Sequence, residues 1–425
     1  MQLVLRIILV SLIFLNFVSS EVGRRYILYD VNPGEGFNLR RDVFSRVAVF
    51  VKKLNLNTNI SFTLVLPPWD RLYHWQSKDI SDQRRISWSI FFNLEGISRY
   101  VPVIEFTDFL DINGLIIDST YYLQSYKEGW EDGNFEEKWD YRECIDRPPY
   151  KKQEKNRYRG YFWGYSDVET RNFSCISVQG TTQVIKDLVN QGGKSVMIDR
   201  AENLLHDWFG DEEYWSIRRA TRFSSSLVNI GEEFRNTFLD SNDEKDDTVV
   251  HELWEHFQPE RKITRGGPYL SAHLRRKDFL TSRNDKLPSL KGAAEQLRKK
   301  LLELNLKKVF IASDAPDEEF RVLESNLQEF EVYRYSPPTK VKRVIKDGGV
   351  AIVDQIICAH AQYFIGSYES TFSFRIQEER EILGFMVANT FDILCPDGQD
   401  KCSKGSVWKI VYPKTKQSNN NHMEL

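Results

Sequence analysis

Cysteine is scarce in this chain: there are five in 425 residues, at 144, 175, 358, 395 and 402, and no two stand in a CxxC spacing. That leaves out zinc-ribbon and thioredoxin-like redox chemistry. Charge of one sign is missing too. Fifty-eight Lys and Arg against 61 Asp and Glu leave a net charge of −3. No basic footprint for nucleic acid results, and any anionic ligand must be held by local charge. Beyond the N-terminus no apolar run nears the roughly 20 residues of a membrane span, so no stable membrane span is expected. Internal repeats and low-complexity tracts are absent. Metal-ligand groupings are absent as well: His251 and His256 lack companions, and Asp314-Ala-Pro-Asp317 is not an Asp-x-Asp and reads as a helix cap.

What is present begins with an N-terminal leader. Arg6 precedes a nearly unbroken apolar run from Ile7 to Val18, and Val18-Ser19-Ser20 offers a cleavage site before Glu21. Residues 1–20 read as a signal peptide; the rival reading is an uncleaved anchor. Asn59-Ile60-Ser61 and Asn172-Phe173-Ser174 are glycosylation sequons, in keeping with a luminal protein. Residues 413–425 form a polar tail. It ends in His422-Met423-Glu424-Leu425, which resembles an endoplasmic-reticulum retrieval signal with Met in place of Asp; the other reading is an arbitrary polar end. The expected location is the endoplasmic reticulum lumen. Cys395 and Cys402 flank a tight polar loop and are natural partners. Cys144 and Cys175 bracket a polar, aromatic stretch and could pair. Cys358 lies in the apolar run Ile356-Ile357-Cys358-Ala359 and reads as a buried free thiol.

The rest is globular, with 41% hydrophobic residues and ten tryptophans, and the length argues for two cores. Strands are expected at 25–30, 62–66 and 101–106, with a helix over 39–54 capped by Asn38. Residues 125–180 lack periodicity and read as loop-rich. Helical patterning returns at 200–206 and 214–233, and the charge-rich 241–247 reads as a linker. A second series follows: strands at 269–274, 309–313 and 363–366, and helices at 289–304, 350–361 and 370–383. The expectation is an α/β protein of two Rossmann-like domains facing a cleft, 21–245 and 246–412.

Four places carry candidate chemistry. In His273-Leu274-Arg275-Arg276-Lys277-Asp278 a strand runs into a basic end, where Arg275 could grip phosphate oxygens; the plain alternative is a solvated strand end with an Asp278 ion pair. Gly366-Ser367-Tyr368-Glu369-Ser370-Thr371-Phe372-Ser373 ends a strand and opens a helix. That is a phosphate cradle or a simple N-cap, and Glu369 must point away for the former. Asp354 sits in the apolar helix Ala351–Cys358 and either accepts a guanine edge or is structural. In Pro33-Gly34-Glu35-Gly36-Phe37-Asn38 the glycines leave Glu35 uncrowded, as a general base or an ordinary turn residue.

Together these pieces resemble one family. His-x-Arg-x-x-Asp at 273–278, the Asp354 helix and Ser370-Thr371-Phe372-Ser373 look like shared peptides of the fucosyltransferases. The strings 29–42, 66–75, 199–206 and 266–279 are similar to GDP-fucose protein O-fucosyltransferases of the thrombospondin-repeat-specific type, over about residues 24–412. The resemblance implies a GT-B-like fold and an inverting peptide-O-fucosyltransferase with GDP-fucose as donor and no required metal or other cofactor. The implied acceptors are folded thrombospondin repeats. It implies Gly34, Glu35, Gly36, Phe37, Asn38, His273, Leu274, Arg275, Asp354, Thr371 and Phe372 at the donor, with Glu35 as base and Arg275 catalytic. It also implies the pairs Cys144–Cys175 and Cys395–Cys402. Asp70 and Glu369 depart from the family pattern. The alternatives are a fucosyltransferase for growth-factor-like repeats or glycans, and an inactive luminal binding protein.

Overall fold

The computed structural model describes residues 23–413, except 71, 130–134, 208, 260–262, 400, 401, 403 and 405. The leader over 1–20 and the retrieval signal lie outside the described residues. The chain divides into two units. The first comprises the described residues through Asp207 together with Thr221–Glu233 and Tyr335–Ile356; the second holds the remainder.

The first unit is built on a nine-stranded sheet: β1 (Arg24–Tyr29), β2 (Ser61–Leu66), β3 (Val103–Glu105), β4 (Ile116–Gln124), β5 (Lys138–Tyr141), β6 (Lys151–Lys152), β7 (Tyr158–Arg159), β8 (Glu169–Gln179) and β9 (Ser195–Asp199). Their order is β3-β2-β1-β9-β4-β8-β7-β6, with β5 paired to β8. The pairings from β3 to β8 are parallel. Tyr26 to Tyr29 of central β1 are all buried, as a strand covered on both faces must be. Helix α1 (Phe37–Asn57) follows β1, and its N-cap is Gly36. Asn38, expected as the cap, is already helical, and its side chain accepts from Gln355 and Arg41 instead.

The stretch expected to be loop-rich carries β5 to β8, with β8 eleven residues long. Its sequence, Glu-Thr-Arg-Asn-Phe-Ser-Cys, is too polar to show a buried-strand pattern, yet it pairs with eight residues of β4. Cys175 of β8 is joined to Cys144. The helix expected at 200–206 is only a single turn, Ala201–Asn203, entered through Arg200 at φ 63°.

The second unit holds a parallel five-stranded sheet: β10 (Gly267–Leu274), β11 (Lys308–Ser313), β12 (Glu331–Tyr333), β13 (Ala361–Gly366) and β14 (Asp392–Ile393), ordered β12-β11-β10-β13-β14. Leu270, Ala272 and Leu274 point from β10 into a core completed by Val309, Ile311 and Leu297. Residues 241–247, expected as a linker, fold against this unit. Arg235 is 1% exposed, donates to Asp243 at 2.6 Å and contacts Ser241. That arginine anchors a segment with no apolar residue of its own. Cys395 and Cys402 are bonded, and Cys358 is a buried thiol. Among the described residues no helix is long and apolar enough to cross a membrane.

Candidate active site

Two clusters of the expected residues form, one in each unit. In the first, β1 ends at Tyr29, and residues 30–36 turn back into α1. Asp30 ties down the start of this loop: its N–H donates to Ile198 and its carbonyl accepts from Ala201. Next, Asn32 N–H donates to Glu202 at 3.2 Å. Arg40, one turn into α1, donates through Nε to the Glu35 carbonyl at 3.0 Å and through Nη2 to that of Pro33 at 3.4 Å. The backbone is therefore gripped at Asn32, Pro33 and Glu35, while the Glu35 carboxylate takes part in no hydrogen bond or ion pair among the described residues. At Gly36 a Cβ would stand 3.3 Å from the His74 ring, so a larger residue would press on the imidazole that flanks the turn. Phe37 faces inward, with ring centres of Trp69 and Trp75 at 4.7 and 5.6 Å.

Beside this loop, buried Arg41 donates to Gln355 Oε1 at 2.9 Å and lies over the rings of Phe92 and Phe223. Gln355 in turn donates to Asn38 at 3.0 Å. Gln355 and Asp354 lie on α2 (Thr339–Ala359), in the stretch Tyr335–Ile356 that belongs to the first unit. Asp354 thus falls in the first unit, whereas the sequence reading places it in the C-terminal domain, 246–412, with His273 and Arg275.

At the start of the loop two carboxyls stand side by side, Asp199 buried and Asp30 half-buried. Asp30 and Asp199 follow the register partners Tyr29 and Ile198 on neighbouring parallel strands. Tyr150 donates to Asp199 at 2.8 Å. Burial first, then the charge of Asp199, push the Asp30 carboxyl up to about 7, against the pull of Arg40. Asp199 is raised too, by burial. Two neighbouring carboxyls in a dry site resist carrying two charges.

In the second unit the cluster forms where β10 and β13 end side by side. His273 is 3% exposed, its Nδ1 is 2.9 Å from Ser373 Oγ, and its ring stacks on Phe372 at 4.4 Å. Burial, then the nearby Arg275 charge, lower the imidazole pKa to about 3, so it is neutral at physiological pH. Leu274, next along β10, is part of the core. Ser367 stitches the strand ends together, donating to the His273 carbonyl at 2.8 Å and accepting from Arg275 N–H at 2.9 Å. Helix α3 (Thr371–Leu383) starts here, with Ser370 as N-cap and no side-chain cap bond. The first N–H groups of a helix have no intrahelical acceptor, and Thr371 is exposed beside them. A Cβ on Gly366 would meet Ser373 at 2.9 Å, which is why the strand ends in glycine where the helix packs so close.

Arg275 is the cation of this cluster. Its Nε and Nη2 reach Asp278 Oδ1 at 2.9 and 2.8 Å, and its Nη1 is 3.3 Å from Asp314 Oδ2. Asp314 also accepts Arg276 N–H at 2.7 Å. The N-cap of the helix that follows is Pro316, so Asp314 is no helix cap but a wall of the Arg275 site. The sequence signal for it was its place just past the end of β11, next to β10. Glu369 does point away: it is exposed and ion-paired with Arg283. Asp70, the other departure, is buried and accepts from Tyr161.

Residues 26–383 match the model of the family described as GDP-fucose protein O-fucosyltransferase. The chain belongs to this family. It is 45% identical over 412 residues to the GDP-fucose protein O-fucosyltransferase 2 of Caenorhabditis elegans, covering 95% of this chain and 94% of that one. It is 48% identical over 392 residues to the human protein of the same name, covering 92% and 90%. Among solved structures, POFUT1 in complex with GDP-fucose matches with a TM-score of 0.54 at 18% identity, covering 88% of this chain and 97% of that one. This O-fucosyltransferase therefore has the α/β, GT-B-like fold expected of it. Among its described residues no group of three or more His, Cys, Asp or Glu is arranged to hold a metal.

Proposed function

We propose that this O-fucosyltransferase moves fucose from GDP-fucose to a Ser or Thr hydroxyl of a folded thrombospondin repeat, with inversion, in the endoplasmic reticulum lumen. The observation that carries the mechanism is the Glu35 carboxylate, without a partner among the described residues, on a loop whose backbone is held by Arg40 and Glu202. An unpaired carboxylate on a fixed backbone suits a general base. In the reaction the acceptor oxygen bonds to the anomeric carbon of fucose, and the bond from that carbon to the diphosphate oxygen breaks. The hydroxyl proton passes to Glu35, and GDP leaves.

The leaving diphosphate gathers negative charge. Arg275, with the N–H groups at the start of α3 and the Thr371 hydroxyl, would hold it. His273 is neutral, so it orients rather than neutralises; its stacking on Phe372 fixes the helix start. Asp354 would read the guanine edge, and the backbone of Gly34 to Asn38 would border the sugar. No step calls for a metal, so none is assigned.

The acceptor is argued from the relatives named GDP-fucose protein O-fucosyltransferase 2 and the resemblance to the thrombospondin-repeat type. A folded module loses little entropy on docking compared with a loose peptide. The test offers labelled GDP-fucose with an oxidised thrombospondin repeat, the same repeat reduced, and a folded growth-factor-like repeat. Transfer to the first alone is expected. Equal transfer to the reduced chain would sink the folded-module reading, preference for the growth-factor-like repeat would change the acceptor, and no turnover at all would favour a binding protein.

A further inference from the structure

We propose that an open groove beside the C-terminal end of α1 seats the first sugars of an N-linked glycan carried by Asn59. This rests on the reading that the chain enters the secretory pathway. The groove encloses about 480 Å³ and is walled by Lys52, Leu56, Asn59, Tyr100 and Pro102, among others. That volume lies in the range of sites that take a ligand of one or two rings. Its lining is apolar with a few polar groups, which matches a pyranose: one face of C–H bonds, and hydroxyls at the rim.

The sequon stands in the wall of the groove. α1 ends at Asn57, Thr58 is its C-cap, and β2 begins at Ser61. Asn59 and Ser61 are both exposed. The turn is braced from behind: Asn55 donates to the Phe62 carbonyl at 2.9 Å and accepts its N–H at 2.7 Å, and Thr58 Oγ1 donates to Leu54 at 2.9 Å. Asn59 is left to project from a fixed corner. Leu56, 72% exposed on the last turn of α1, is an apolar side chain that a sugar would cover. The Lys52 ammonium lies 4.3 Å from the Tyr100 ring centre, where it can donate to sugar oxygens.

The second sequon makes a contrast. Asn172 lies inside β8, opposite Ser119 of β4, and its side chain already donates to the Asp118 carbonyl at 3.1 Å. Asn59 stands in the wall of a groove, whereas Asn172 sits on a paired strand with its side chain already bonded.

The covalent step is that of the secretory machinery and precedes folding. The Asn59 side-chain nitrogen bonds to the anomeric carbon of the first N-acetylglucosamine of a lipid-diphosphate-linked oligosaccharide. The bond from that carbon to the diphosphate breaks, the lipid diphosphate leaves, and one amide proton goes to solvent. The groove acts afterwards, by covering the reducing-end sugars.

The test secretes the full chain from a eukaryotic host behind the host's own leader, so an error about this chain's leader does not enter. Peptide mass spectrometry should find Asn59 occupied. Trimming the outer mannoses back to the two reducing-end N-acetylglucosamines should leave the melting temperature unchanged, whereas Asn59→Gln should lower it by about 2 °C or more. Asn172→Gln should not lower it. Hydrogen exchange over 52–61 and 99–103 should quicken only when the reducing-end sugars are removed, and in Tyr100→Ala the glycan's effect on melting should shrink. If Asn59→Gln is not secreted, removal of the whole glycan from the purified enzyme gives the same comparison. An unmodified Asn59 in the secreted protein overturns the proposal. So do identical melting and exchange with and without the sugar.

Discussion

The Glu35 loop and the Arg275 strand end solve opposite problems. The loop fixes backbone and leaves its charge alone: Glu202 and Arg40 hold the main chain at Asn32, Pro33 and Glu35, and the Glu35 carboxylate has no partner among the described residues. The strand end does the reverse. Arg275 already has Asp278 and Asp314 against its guanidinium, so its orientation is fixed before any ligand arrives. A base must stay available to a proton. In the proposed reaction the cation that receives the diphosphate can be held in place by carboxylates until the donor arrives.

The comparison breaks most visibly at Glu35. Glu35→Gln keeps the shape and removes the base; transfer should fall by about 10² to 10⁴, with GDP affinity unchanged by calorimetry. Full activity in the variant would return Glu35 to an ordinary turn residue. Arg275→Ala should cost on the order of 10² to 10³ in transfer and weaken GDP as well, since the charge serves both. Near-normal turnover in a folded variant would remove Arg275 from the chemistry.

A finer cut separates holding a charge from being one. Asp278→Asn leaves Arg275 its charge but loosens its orientation, and kcat should fall about tenfold, the scale of one hydrogen bond to a charged group. An increase in activity would mean that Asp278 competes with the donor rather than aligning the arginine.

At the start of the loop, Asp30 gives a pH signature. Its carboxyl titrates near 7 when folded against 3.8 when unfolded. Between those values the folded chain keeps a proton that the unfolded chain releases. Its contribution to stability is therefore whole below about pH 4 and is lost as pH climbs through about 7. Asp30→Asn cannot acquire the charge, so its denaturant midpoint should gain on the wild type between pH 5 and 8. Parallel curves would show that the carboxyl pair is not taking up charge there. The smallest effect is expected from EDTA, which should leave the transfer rate as it was; inhibition reversed by added metal would contradict this.

The two clusters were also unequal in how far the sequence disclosed them. At the strand end the signal is local: β10, β13 and the start of α3 each show their pattern within ten residues, and His273, Arg275 and Ser373 lie where those patterns stop. The Glu35 turn was legible for the same reason. Its supports were not. Gln355 bonds to Asn38 across 317 positions, and Asp199 stands beside Asp30 because β9 inserts between β1 and β4. No periodicity encodes such neighbours. β8 shows no strand pattern because seven of its eleven residues are polar, and 241–247 carries no packing signal because a single buried arginine replaces the apolar residues that normally mark a packed segment.

Cys358 has a kinetic consequence. In the native chain its thiol is wholly covered, on the helix that packs behind β10 and β13. Four other cysteines must find Cys144–Cys175 and Cys395–Cys402, and a fifth thiolate can attack any bond that forms. Exchange therefore stays open until the second sheet closes over Cys358 and then stops. The order of events sets the yield: a chain oxidised before that sheet forms is exposed to mispairing, and one oxidised after it has only four sulfurs left to choose from.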